Sequence, residues 1–369
     1  MMRLRLRSAV VAAAAIVLVT ARLGHSSAAQ SPLDDPDAGP LHSQPSACFM
    51  AAINKKGAPC PVPDVTAHNA GSFVARARYF IGMQEFDKAL ADVDAALKIA
   101  PNDIELRHLA GRIAQTIGKA ERAEQEFVAL RKLRPHDPRI NTSYAVMLMG
   151  RANAQALRVL ADVIDKHPDY LLARWERARL YSQLGDCCTI DYFVPAAADL
   201  AFLIQNTPPN ATLRGMRANA LSRLGHDKEA VVDLTAALEI MPGRSDLLQS
   251  RAKASVAAGF YELAAKDFDA LLEMQGTTPI YAMFENDRAK LLMDRAAALV
   301  ELGRLSDAAK DAIAAVSLGG KKAVLRAQVM LRRHGFPDIP IDGQVSASLE
   351  QALSACFGLK ACYHEMRAI

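Results

Sequence analysis

The stretch FVARARYFIGMQEFDKALADVDAALKIAPND, Phe73 to Asp103, decides the fold. Phe73, Ala77 and Phe80 fall at i, i+4, i+7 and make one apolar stripe of a helix. A turn around Met83–Glu85 follows, and Phe86, Ala89, Val93 and Ala96 make the stripe of a second helix. Pro101 stops that second helix, because proline cannot continue the hydrogen-bond ladder. Ala77 and Ala89 are small where the two helices must approach most closely.

The pattern then repeats with a period of roughly 34 residues, the mark of stacked two-helix units that cannot bury their apolar faces alone. A first small residue recurs as Ala77, Gly111, Ala145, Ala178, Ala218, Ala252 and Ala296, and a second as Ala89, Ala123, Ala156, Ala196, Ala230, Ala264 and Ala308. Proline recurs as Pro101, Pro135, Pro168, Pro208 and Pro242. Gly118, Gly185, Gly225, Gly259 and Gly303 stand where the inter-helix turn needs a residue tolerant of positive φ.

In this small, small, apolar, proline order the chain resembles the tetratricopeptide repeat family, from about residue 70 to 320. The resemblance implies an all-α, right-handed superhelical solenoid of seven two-helix units whose first helices line a concave groove that holds a protein or peptide. Three departures stand out. Unit three is one residue short, unit four carries an insert within residues 187–195, and unit seven follows an extra stretch around Thr277–Arg288. The aromatic residue usual early in the family's first helix is replaced by Arg107, Arg214 and Leu248.

After Gly320 the period stops. In the tail, residues 321–369, Gln328, Leu331, Gly335, Asp342, Gly343, Ala352 and Leu353 are similar in spacing to the small three-helix peptidoglycan-binding module. Ser346, Leu349 and Cys356 depart from that pattern. The tail is read either as such a module, with peptidoglycan as its partner, or as a cap on the last repeat.

The N-terminus has its own logic. MMRLRLR is basic, Ala9 to Thr20 is apolar but too short to span a bilayer, and Ser27-Ala28-Ala29 is a cleavage-site pattern. Residues 1–29 are therefore expected to be a signal peptide and the protein to be exported, periplasmic or secreted, the alternative being an uncleaved membrane anchor. No transmembrane span is expected after cleavage. Residues 30–69, rich in Pro, Ser and Asp at their start, are expected to form a disordered linker and a cysteine-stapled loop.

Charge and cysteines exclude other classes. The chain has 44 Lys+Arg and 40 Asp+Glu, but Arg3, Arg5, Arg7 and Arg22 belong to the leader, so the mature chain is formally neutral and offers no footprint for nucleic acid. The candidate disulfide residues are Cys48, Cys60, Cys187, Cys188, Cys356 and Cys362, clustered in pairs whose connectivity the sequence leaves open. A bond between the neighbours Cys187 and Cys188 would strain the intervening peptide, and their thiols could instead stay free. No catalytic or phosphate-cradling motif and no C-x-x-C is present, so no enzyme, metal or cofactor is expected. His136, His167 and His226 are read as surface residues of inter-repeat turns.

Two sets of charged residues remain. Arg76, Arg177, Arg217, Arg251 and Arg295 each precede a first small residue. The same five units carry Asp92, Asp199, Asp233, Asp267 and Asp311 three residues after the second one. Units two and three lack both, with Ala110 and Glu126 or Tyr144 and Val159. This shared presence and absence points to a structural Arg–Asp ladder across paired helices. One residue beyond each first small residue, on the side that the family resemblance assigns to the groove, stand Arg78, Arg112, Arg179, Asn219 and Lys253, with Trp175 one turn before Arg179. These six are the candidate partner-binding residues, and the cations among them suggest an acidic peptide, with Trp175 as an exposed anchor.

Overall fold

The structure, a computed structural model, describes residues 62–65, 69–277, 285–358 and 365. Among them it is all-α: sixteen α-helices and one short 3-10 turn, arranged as seven consecutive pairs and two closing helices. The leader and most of the linker lie outside the described residues. The chain divides into two compact units, one ending at Thr207 and the other beginning at Pro208.

The first unit holds four pairs: α1 (Ala70–Gly82) with α2 (Phe86–Ile99), α3 (Ile104–Thr116) with α4 (Ala120–Leu133), α5 (Pro138–Leu148) with α6 (Asn153–Lys166), and α7 (Leu171–Cys187) with α8 (Phe193–Asn206). The second holds α9 (Ala211–Arg223) with α10 (Asp227–Ile240), α11 (Ser245–Ala258) with α12 (Tyr261–Thr277), α13 (Glu285–Glu301) with α14 (Leu305–Leu318), then α15 (Gly320–Arg333) and α16 (Ala347–Gly358).

Local chemistry sets these boundaries. Asn69, Asp103, Asp137 and Asn210 cap first helices by accepting backbone N–H bonds, from Ser72 at 2.8 Å and Leu106 at 3.1 Å in the first two cases. In the first five pairs the second helix stops two residues before the recurring proline, as α4 does at Leu133 ahead of Pro135. The thirteen repeating alanines of the two small-residue series have no exposed surface. At the fourteenth position, Gly111, an added Cβ would meet the Phe127 ring at 3.0 Å, so the paired helices touch there.

The turns correct one expectation. Gly118, Gly225, Gly259 and Gly303 have φ between 73° and 81°, but Gly185 is absent from the positive-φ glycines and lies inside α7. Its missing side chain serves packing: a Cβ there would lie 2.7 Å from the ring of Phe193, the first residue of α8, which is fully buried. Gly185→Ala should therefore cost about 1–3 kcal/mol by overpacking. A urea midpoint that falls, and recovers in part when Phe193→Leu is added, is the expected outcome; an unchanged midpoint would show that the ring simply moves aside. In unit three the positive-φ glycine is Gly150, which falls closer to its first small residue, Ala145, than the other turn glycines do and so drops out of phase. In unit four the added residues lengthen α7 to Cys187 and form a 3-10 turn at Ile190–Tyr192, while residues 193–195 already belong to α8.

Each unit has its own core. In the first, Phe127, Leu130, Ile140 and Leu160 anchor a cluster running from α3 to α7. In the second, Leu234, Phe268 and Leu292 join the pairs from α9 to α14. Leu331, Leu349, Leu353 and Phe357 of the two closing helices share one cluster with Ala296, Val300, Ala308 and Ala312 of α13 and α14. Full burial of such side chains contributes about 1.5–3 kcal/mol each, so the closing helices are built into the last repeat.

Candidate functional site

The five ladder arginines meet five aspartates, each in a two-point fork from the first helix of a pair to the second. Arg76 donates from Nε and Nη2 to Asp92 at 2.8 and 2.7 Å. Arg177 holds Asp199 at 2.8 Å twice, and Arg217 holds Asp233 at 2.6 Å twice. Arg251 grips Asp267 at 2.8 and 2.6 Å, and Arg295 grips Asp311 at 2.7 and 2.6 Å. The aspartate side chains are at most 7% exposed, so each carboxylate depends on its fork for compensation of its lost hydration. The hydrogen bonds to Asp92 and Asp199 hold the guanidinium groups of Arg76 and Arg177 above their ordinary range.

A second tier went unread in the sequence. Arg107, Arg174 and Arg214 stand four residues before the first small residue, and each reaches a buried acid of its own pair. Arg107 meets Glu126 at 3.0 Å, Arg174 approaches Asp199 at 3.6 Å and Arg214 meets Asp233 at 3.3 Å. In unit two Glu126, clasped also by Arg122 at 3.0 Å, takes the place of the ladder aspartate. Tyr144 of unit three, which stands where the ladder arginine would be, lies instead under Arg131 of α4 in unit two, with the guanidinium 4.3 Å from the ring centre. The replacement of the family's usual aromatic by arginine was the available signal: it is a change of polarity at a position that faces an acid.

The candidate groove residues divide sharply. Arg78 on α1, Asn219 on α9 and Lys253 on α11 are exposed and make no ion pair among the described residues. Arg112 is 8% exposed and belongs to the interior of α3. Arg179 is not a free cation, because it donates to Glu176 at 2.9 and 2.6 Å and lies 3.4 Å from the sulfur of Met149. Trp175 is 1% exposed, so it is a core side chain and not an exposed anchor. Sequence proximity to Arg179 misled here. Residues four apart on a helix are neighbours but differ in bearing by about 40°, enough to separate a covered position from an edge. An acidic peptide thus loses two of its four expected cations.

Where those residues turn inward, α3, α5 and α7 carry a buried polar stripe. Nε2 of His108 lies 2.8 Å from Oγ of Ser143, linking α3 to α5. Thr142 Oγ1 and Glu176 Oε1 are buried with no hydrogen-bond partner. Burial, aided by the nearby Arg112 and Arg139 charges against those of Glu105 and Asp137, pushes the His108 imidazole down to about 4. The unfolded chain, with an ordinary pKa near 6.5, takes up this proton first. Stability should therefore be full above about pH 6.5 and fall by about 3 kcal/mol as pH drops toward 4. Urea midpoints between pH 7 and 4.5 should show that slope, and His108→Gln should flatten it. An equal slope in the variant would assign the effect to the carboxylates.

His136 and His167 lie in inter-repeat turns, joined by a 2.9 Å contact between His167 Nε2 and the His136 carbonyl. His226 does not; it precedes α10 in the turn within a pair. Cys187 and Cys188 are bonded to each other, and Cys356 is disulfide-bonded and buried. Cys48, Cys60 and Cys362 lie outside the described residues. Among the described residues there is no cluster of three side chains suited to a metal, and no helix is long and apolar enough to cross a membrane.

In the tail, Gln328 is fully buried and uses its whole amide. It donates to Asp342 Oδ1 at 2.8 Å and the Gln344 carbonyl at 3.1 Å, and accepts from the N–H groups of Asp342 at 3.1 Å and Gly343 at 2.9 Å. Gly335 and Gly343 adopt φ of 94° and 72°. Gln328, Asp342 and Gly343 therefore shape a turn.

No family model and no curated protein matches the chain. Solved structures similar to it include a tetratricopeptide repeat protein from Parabacteroides merdae, at 18% identity and TM-score 0.45 over 68% of this chain and 93% of that one. PilW, a type IV pilus biogenesis factor, is 18% identical with TM-score 0.49 over 58% of this chain and 97% of its own. PilF of Pseudomonas aeruginosa is 14% identical with TM-score 0.46 over 59% of this chain and 97% of its own.

Proposed function

We propose that the chain is a non-catalytic scaffold of the bacterial cell envelope that holds a protein or peptide against the first helices of its repeats. Asn219 and Lys253 carry this reading. They occupy equivalent positions on successive first helices, both exposed, while Arg217 and Arg251 two residues earlier are consumed by the ladder. The forks take up Arg217 and Arg251 and leave Asn219 and Lys253 to solvent. Export is supported by the basic, apolar and small-residue order of residues 1–29. An acidic segment of the partner would meet Arg78 in the first unit or Lys253 in the second.

A photo-crosslinking residue at position 219 or 253, in intact cells, should capture the same partner, identified by mass spectrometry. The same residue at 229, an exposed position on the second helix α10, should not. Equal capture at all three positions, or none at 219 and 253, would overturn the reading.

A second reading, docking on peptidoglycan through residues 321–369, rests on the sequence spacing of Gln328, Asp342 and Gly343, which is similar to that of the wall-binding module, and these three residues meet in one turn. Because these helices share a core with α13 and α14, the test uses the whole chain: saturable sedimentation with purified sacculi supports docking, and its absence leaves the tail as a cap.

A further inference from the structure

We propose that the Cys187–Cys188 bond is a site of reversible thiol–disulfide exchange with an external dithiol, independent of the partner reading above. A structural disulfide stabilises chiefly by closing a length of chain and so restricting the unfolded state. Bonded neighbours close no chain between them, so this bond offers the fold no such gain. Its surroundings are those of a reactive bond. Both cysteines are exposed, at the end of α7, in the repeat whose two helices are joined through an insert. Exposed disulfides are the ones open to thiolate attack, whereas buried ones resist it.

The pair also sits beside a surface that a reductant could use. Ile190 and Val194 are 50% and 58% exposed, and Tyr181 stacks on Tyr192 with ring centres 6.0 Å apart. Ile190, Tyr192 and Val194 follow the cysteines within the insert, so the bond stands in a segment that leaves apolar side chains open to solvent.

The chemistry balances as follows. A thiolate of the dithiol attacks one sulfur and forms a mixed disulfide, and the other cysteine leaves as a thiolate that takes up a proton. The second thiol of the same reductant then attacks the mixed bond and releases the remaining cysteine. Two electrons pass to the protein, which ends with two thiols, and the reductant ends as a disulfide.

The consequence is local. The bond restrains only the Cys187–Cys188 peptide, where the N–H groups of Cys188 and Thr189 both donate to the Leu184 carbonyl, at 2.9 and 3.4 Å. Reduction therefore loosens the end of α7 and the following turn while the cores of the pairs stay intact.

The chain carries its own control, since Cys356 is disulfide-bonded and only 1% exposed. The full oxidised chain is treated with limiting dithiothreitol, quenched in acid and alkylated, and each cysteine is followed by mass spectrometry. Cys187 and Cys188 should become labelled on the order of tenfold faster than Cys356, and oxidised dithiothreitol should restore the bond. Amide exchange at 188–192 should rise on reduction, with that of α5 and α9 unchanged. Cys187→Ser with Cys188→Ser should melt within a degree or so of the parent, since no chain loop is lost. Labelling of Cys356 at the same rate, a pair that stays free thiol under the oxidant, or a double variant that fails to fold would each overturn the proposal.

Discussion

Trp175→Ala should unfold part of the chain, with any loss of partner binding a consequence of that. The ring is 1% exposed and heads the largest fully buried side chains of the protein. Its removal leaves a cavity that neighbouring helices fill only in part, a change that typically costs about 3–5 kcal/mol. In a stacked array, where each pair contacts mainly its neighbours, such a loss need not melt everything at once. An early transition in thermal denaturation followed by circular dichroism is the expected signature. Were the melt unchanged while crosslinking at position 253 fell, the ring would be acting at the surface and its burial would be wrong.

The second large effect concerns Asp233. It is 1% exposed and accepts from Arg217 and from Arg214, so Asp233→Ala strands two guanidinium groups that are about a quarter exposed. Removing one member of a buried ion pair costs about 3–5 kcal/mol, and the partial exposure of these arginines places the expectation near the lower end. Replacing both members of the fork by apolar residues, Arg217→Met with Asp233→Leu, should recover most of the loss, because no charge is then left without a partner. Lys253→Ala should shift stability by less than about 0.5 kcal/mol. A double variant no better than Asp233→Ala would mean that the fork contributes by geometry and not by charge compensation.

These cases also show how far the sequence could be read. The helix pairs were legible because small residues, glycines and prolines recur in phase, and each has one dominant steric cause. The facing arginines and aspartates were legible because they come and go together within one chain. What stayed hidden depends on the packing between successive pairs. Arg112 and Arg179 occupy the same repeat position as Lys253, yet only Lys253 is exposed, and nothing in the period records how closely neighbouring first helices press together. Gly185 looked like a turn residue because it falls at the same phase as Gly225. Four extra helical residues moved the turn past it and left it facing a phenylalanine. His108 carried no periodic signal at all, since its role rests on a single contact with the next helix.

The spacing of the forks has a further implication. Arginine and aspartate are 16 residues apart in four of the five pairs and 22 apart in the fourth repeat, yet the contact distances are alike. A pair can keep its contact across a longer separation only if the surplus is accommodated at the junction of the two helices. That junction is therefore a tolerant port. Descendants of this chain could acquire loops there without re-registering a single helix, and an experimenter could graft a reporter into the junctions at Gly225 or Gly259 by the same route.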